Sequence, residues 1–164
     1  MRLVLIRHAT AVPRGTPGIS DDDRPLTPRG RRRFRKAAQG LARVIGRPDL
    51  LLTSPLPRAV ATAEIAARAW GRVRPTPEPV FAGGTVKGML AALARQPAGA
   101  TVAVVGHEPS LSELLAHLLG RGGAGALVFR KGGAALVEVP GSPPEGGRLV
   151  WFLPPRVLRA LRRR

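Results

Sequence analysis

Three short apolar runs, residues 2–6, 49–53 and 101–105, constrain this chain more than any other feature. Each is about the length of a strand and shows no alternation of wet and dry faces, so each reads as a strand buried on both sides. The segments between them carry helical spacing instead. Phe34, Ala37, Ala38, Leu41, Val44 and Ile45 recur on one helical face, after Thr27 as N-cap and Pro28 in the first turn. Gly46 and Pro48 stop that helix. Ser54-Pro55-Leu56-Pro57 reads as a turn, 58–70 and 86–95 as helices, and 73–81 as a short extended piece broken by prolines. Leu111, Leu114, Leu115, Leu118 and Leu119 mark a further helix, with Ser110 and Glu113 at capping-box spacing. Segments 126–129 and 134–139 flank Lys131-Gly132-Gly133 and are expected to pair, before a last strand at 149–153 and a helix opened by Pro155. Strands alternating with helices predict one α/β domain over residues 1–164, a three-layer α/β/α sandwich on a mostly parallel sheet.

In such sheets ligands collect beyond the carboxyl ends of the strands. Here Ile6 runs into Arg7-His8, Thr53 into Ser54 and then Arg58, and Val105 into Gly106-His107. Taken singly, each residue would be ordinary; their convergence on one sheet edge singles them out. A neutral imidazole can attack phosphorus and divide one hard hydrolysis into two easier steps. Arginine forks suit phosphate oxygens, and a histidine beside them can donate to the group in transfer. On this reading His8 is the nucleophile, Arg7, Arg58 and His107 form the phosphate pocket, and neither metal nor cofactor is required. His117, on the leucine-rich helix, reads as structural.

Composition narrows the remaining classes. An apolar fraction of 44% fits an ordinary soluble globular protein. No apolar run approaches the roughly 18 residues of a membrane span, and the first run ends too early, at Arg7-His8, for a signal peptide. With no cysteine there is no disulfide framework, thiolate metal site or cysteine nucleophile, and the cytoplasm is the expected compartment. The net charge of +17 is concentrated. Six basic residues lie between Arg29 and Lys36 and five arginines between Arg156 and Arg164; setting those eleven aside leaves +6. These clusters read either as solvated helix faces or as a basic surface for an acidic partner. Only Phe34 lies within them as an aromatic, which argues against sequence-specific nucleic-acid recognition.

Leu5-Ile6-Arg7-His8-Ala9 resembles the signature of the histidine phosphatase superfamily, with alanine where that family usually has glycine. Arg24-Pro25-Leu26-Thr27-Pro28-Arg29-Gly30 is similar to the family segment that opens its first helix. Ser54-Pro55-Leu56-Pro57-Arg58-Ala59 with Thr62-Ala63-Glu64, and Gly106-His107-Glu108-Pro109-Ser110-Leu111, resemble its second arginine and second histidine motifs. The resemblance implies a phosphoglycerate mutase-like fold. The short chain and the Gly-His-Glu-Pro form are most similar to SixA-type phosphohistidine phosphatases, which lack a large cap insertion. It implies His8 as nucleophile and Arg7, Arg58 and His107 as the phosphate pocket.

Many relatives also carry a general acid, but 81–85 holds no carboxylate here. Glu78, Glu108, Asp21, Asp22 and Asp23 remain candidates, or none serves. A phosphorylated imidazole can be protonated on its second nitrogen near neutral pH, so a phosphohistidine substrate tolerates a weak acid. The expected partner is therefore a protein bearing phosphohistidine. A small phosphorylated metabolite, or a basic non-catalytic module binding phosphate or nucleic acid, is the alternative.

Overall fold

The computed structural model describes residues 1–120 and 127–162. Its strands are β1 (Arg2–Arg7), β2 (Leu50–Thr53), β3 (Pro75–Pro77), β4 (Thr101–Gly106), β5 (Ala134–Glu138) and β6 (Arg148–Leu153). They form a single mixed sheet in the order β3-β2-β4-β1-β5-β6. β3, β2, β4 and β1 run parallel, β5 is antiparallel to β1, and β6 is antiparallel to β5.

The side chains of β1 show why the molecule has three layers. Val4 and Ile6 enter one apolar cluster, with Phe34 and Leu41 of α1 (Pro28–Ile45), Ala63 and Ile65 of α2 (Pro57–Ala69), and Leu158 of α5 (Pro155–Ala160). Leu3 and Leu5 enter the other, with Met89 and Leu93 of α3 (Val86–Ala94) and Leu114 and Leu115 of α4 (Ser110–Leu118). Successive strand residues point to opposite faces, so a strand wetted on neither side needs helices on both. Among the described residues no helix is long and apolar enough to cross a membrane.

The parallel register sets up the site. Arg2 lies opposite Thr101 and Arg7 opposite Gly106, so β1 and β4 end level. The His8 N–H continues the ladder to Gly106 O at 3.0 Å, and the Ser54 N–H to Val105 O at 2.9 Å. Three chain exits therefore leave the sheet side by side.

Several local expectations need correction. Residues 127–129 form no strand, and Ala126 lies outside the described residues. β5 already has β1 and β6 on its two edges, while Phe129 buries its ring against Phe152 and sends its N–H to Glu108. The 73–81 piece divides into β3 and a 3₁₀ turn, Pro79–Ala82. Ser110 does not cap α4: the helix begins at that residue, Pro109 holds the cap position, and no side chain caps it. Val44 faces solvent despite its place in the apolar spacing of α1. Thr27 does cap α1, its Oγ1 accepting from the Gly30 N–H at 2.9 Å.

Gly40 sits where α1 meets α5: a Cβ there would lie 1.8 Å from Leu158 O. Gly40→Ala should lift α5 from α1 and lower stability by roughly 1–3 kcal/mol, as measured by urea unfolding. An unchanged midpoint would show that this contact carries no packing constraint.

Candidate active site

β1 delivers Arg7 and His8 to the rim of the sheet, and the chain there is gripped from both sides. The Arg7 N–H donates to Gly133 O, while the Gly132 N–H reaches Arg7 O and His8 O. His8 is buried, at 5% exposure, and its Nδ1 lies 2.7 Å from Ala9 O. A carbonyl only accepts, so Nδ1 carries the ring proton and Nε2 keeps its lone pair. Ala9 is itself held. Its N–H donates to Thr62 Oγ1 at 3.0 Å, and the same hydroxyl donates to Arg58 O at 2.6 Å. One threonine on α2 thus ties the residue after His8 to the first turn of the helix that carries Arg58.

His107 leaves the end of β4 and stands against His8, with ring centroids 5.0 Å apart and planes at 51°. Its Nε2 lies 2.7 Å from Ser54 Oγ, which also accepts from the Leu56 N–H at 3.2 Å. Ser54 Oγ has a second lone pair as well as its own proton, so it pairs with Nε2 in either tautomer of His107. His107 Nδ1 is buried and has no hydrogen-bond partner within the protein.

The arginines are anchored by carbonyls. Arg7 Nη1 donates to Phe129 O at 2.6 Å, and Arg58 Nη1 to Asp21 O at 2.8 Å and Asp22 O at 3.3 Å. Arg58 is 4% exposed. The Nε atoms of both arginines, like His107 Nδ1, are buried without a partner in the protein. Each buried N–H left unmatched costs about 1–3 kcal/mol, a cost that an oxyanion accepting from it would relieve.

Burial, reinforced by the surrounding cations, keeps both rings neutral. Burial pushes His8 down to about 3; the Ala9 hydrogen bond resists, and His107, Arg58 and Arg7 push it further. Burial also pushes His107 down to about 4, helped by Arg58, Arg24 and Arg7. At neutral pH His8 therefore offers an unprotonated Nε2 inside a cationic pocket, an arrangement suited to attack on an anionic phosphoryl group.

Sequence reasoning missed several parts of this site. Arg24 is only 6% exposed, donates from Nε to Asp21 Oδ1 at 2.8 Å and from Nη1 to Val12 O at 2.8 Å, and acts on both Arg58 and His107. The loop carrying it is closed at its base by the Ala11–Leu26 bridge, which folds Arg24 back toward the pocket. Lys131 stands close enough that its ammonium, already pushed down by burial, is lowered further by Arg7, Arg24 and Arg14. Ser54 and Thr62 lay within recognised motifs, yet nothing in the sequence revealed which backbone groups their hydroxyls would meet.

Of the candidate acids, Glu78, Glu108, Asp21 and Asp23 have side-chain partners in the fold. Glu78 pairs with Arg95 at 3.2 Å. Glu108 Oε1 accepts from Ser112 Oγ and from the Phe129 N–H, each at 2.8 Å, so it ties the His107 loop to the segment that anchors Arg7. Asp21 pairs with Arg14 and Arg24, and Asp23 accepts from Ser20 Oγ at 2.6 Å. The carbonyl of Asp22, rather than its carboxylate, meets Arg58. The ring nitrogens of His8 and His107 bond to Ala9 O and Ser54 Oγ, not to a carboxylate. His117 is exposed on α4 and contributes nothing here.

Two predictions follow from this geometry. An unfolded chain takes up imidazole protons near 6.5, whereas His8 and His107 in the fold resist until about 3 and 4. More protons bind to the unfolded state across that window, so stability falls as pH drops from neutral toward 4. In anion-free protein the ring NMR signals of both residues should stay still between about pH 8 and 5.5; titration near the ordinary value would contradict the burial argument. Thr62→Val, which keeps the shape but removes the hydroxyl, should destabilise by roughly 1–3 kcal/mol and slow turnover. Wild-type melting and turnover in that variant would refute the tether.

The chain is similar to known proteins in sequence and in fold. The model of the histidine phosphatase superfamily (branch 1) matches residues 3–82. An uncharacterized protein of Picosynechococcus sp. (strain PCC 7002) is 40% identical over 119 residues, 69% of this chain and 70% of that protein. The structure of SixA from Agrobacterium tumefaciens superposes with a TM-score of 0.78 at 28% identity, covering 93% of this chain and 96% of that one. A protein histidine phosphatase SixA complexed with tungstate gives a TM-score of 0.82 at 26% identity, covering 96% and 99%. A phosphoserine phosphatase mutant from Entamoeba histolytica, 17% identical with a TM-score of 0.73 over 94% and 98% of the two chains, shares the fold. With its mixed sheet in the phosphoglycerate mutase-like arrangement, the chain belongs to the histidine phosphatase superfamily and is a phosphatase.

Proposed function

We propose that this phosphatase removes phosphate from phosphohistidine on a protein, with His8 as nucleophile and Arg7, Arg58 and His107 as the phosphate pocket. The observation that carries this reading is the Nδ1–H of His8 fixed on Ala9 O, beside the unmatched buried Nε donors of Arg7 and Arg58. Nε2 attacks phosphorus in line, and the bond from phosphorus to the substrate imidazole breaks. That imidazole leaves neutral, because its far nitrogen already holds a proton near neutral pH. His8 becomes a phosphoimidazolium whose Nδ1–H stays on Ala9 O. Water then attacks phosphorus, Nε2 departs as neutral imidazole, and the water's proton passes to phosphate or solvent.

The charge that offsets the phosphoryl oxygens comes from the protein, so the reaction as proposed uses no metal or cofactor. With Glu78 and Glu108 engaged elsewhere, a leaving group that brings its own proton suits the site better than an alkoxide. Similarity to SixA structures supports the same substrate class. The chain is proposed to act as a single domain, in the cytoplasm.

The test is phosphate release from a histidine-phosphorylated phosphotransfer domain. Wild type should release it and His8→Ala should lose at least about 10³-fold. Full turnover by His8→Ala would overturn the nucleophile. Efficient turnover of sugar phosphates or nucleotides, with none on the phosphoprotein, would make the protein a small-molecule phosphomonoesterase instead.

A further inference from the structure

The two arginine clusters, remote in sequence, meet in the fold. With Gly40 letting α5 close on α1, Arg29, Arg32 and Arg33 come to line one groove of about 650 Å³ with Arg159 and Arg162. Arg33 and Arg159 also line two adjoining cavities. One, of about 550 Å³, adds Arg156; the other, of about 250 Å³, opens beside Ala9, Thr10 and Lys131. A continuous basic track therefore runs from the α1–α5 face to the residue next to the nucleophile.

Among the described residues no ion pair balances this charge. Residues 28–45 and 155–162 contain no carboxylate, and none of the four ion pairs among the described residues involves α1 or α5. Burial and then the charge of Arg33 push the Arg159 guanidinium down. Arginines in the first turns of α1 also oppose its dipole. Charge arranged against the stability of its own helices calls for an anionic occupant.

The character of the track indicates which one. Phe34 is the aromatic residue along it and is 3% exposed, so no ring is offered for bases to stack on. A single small phosphate would need only the pocket, not a surface extending this far from it. We propose that the α1–α5 face docks an acidic protein surface and presents that protein's phosphorylated side chain to His8 past Ala9. This rests on the phosphohistidine-protein reading above. Docking of this kind raises encounter rate and affinity without altering the chemical step, so it acts on KM and weakens with salt.

The experiment compares Arg33→Gln/Arg159→Gln with wild type on two substrates: a histidine-phosphorylated phosphotransfer domain of net negative charge, and free phosphoramidate. For the phosphoprotein, KM should rise about tenfold or more with kcat held and a flatter salt dependence, while phosphoramidate kinetics stay within about twofold. An unchanged phosphoprotein KM, or equal losses on both substrates, overturns the docking face. If the double variant does not fold, Arg32→Gln/Arg156→Gln, both exposed positions, carries the same expectation. If wild type turns over phosphoramidate but not the phosphoprotein, the substrate reading fails. Docking is then judged by fluorescence anisotropy of the same acidic domain on His8→Ala enzyme. Salt-sensitive binding lost on adding Arg33→Gln/Arg159→Gln upholds it, and no binding at physiological salt overturns it. DNA or RNA bound more tightly than the acidic domain, and released by the same substitutions, would also overturn it in favour of nucleic acid.

Discussion

The hydrogen bond from His8 Nδ1 to Ala9 O is the constraint from which the site follows. It fixes the tautomer, orients the ring and, in the proposed mechanism, stabilises the positive charge that the ring would acquire on bonding to phosphorus. None of this works unless Ala9 is itself fixed, and that falls to Thr62, bonded at once to Ala9 and to the backbone of Arg58. His8 and Arg58 are thus spaced by a single hydroxyl on α2. The level ends of β1 and β4 then bring His107 to the opposite side.

A second principle is how the cations are held. Arg7, Arg24 and Arg58 all donate to backbone carbonyls, of Phe129, Val12, and Asp21 with Asp22. Carbonyl oxygens orient a guanidinium without cancelling its charge, as a carboxylate would. Asp21 is the exception, and it is spent on Arg14 and Arg24 rather than on Arg58 or Arg7. The pocket remains strongly positive, and its two histidines stay neutral through burial, with the arginines adding to it. Such an arrangement lowers stability to raise affinity for an anion, the trade-off expected where function, not folding, selects the residues.

The buried strands 2–6, 49–53 and 101–105 were legible because uninterrupted apolar runs of that length admit few other solutions in a chain with helical spacing between them. The convergence of Arg7, Arg58 and His107 was legible because strand ends in a parallel sheet share one edge. Arg24 was not, since its burial depends on a loop closed by one bridge between Ala11 and Leu26, a long-range pairing without local signature. The segment at 127–129 looked like a strand for the same apolar reason that it is not one. Phe129 satisfies its preference for burial through its side chain, while its backbone bonds to Glu108 and Arg7 instead of a neighbouring strand. Ser110 had the right spacing for a cap, but Pro109 takes that position. Spacing alone does not say which turn begins the helix.

The burial of β1 on both faces has a bearing on motion. Leu3, Val4, Leu5 and Ile6 are wholly enclosed, and the strand is bonded along both edges by β4 and β5. Amides in such a strand exchange with solvent only when the whole molecule opens, so His8 hangs from the element that is last to come apart. Breathing of the catalytic strand is thereby closed off as a route for admitting substrate or releasing product. Whatever mobility turnover demands must be supplied by the side chains and loops around the rim. His8 itself stays a fixed point against which they move.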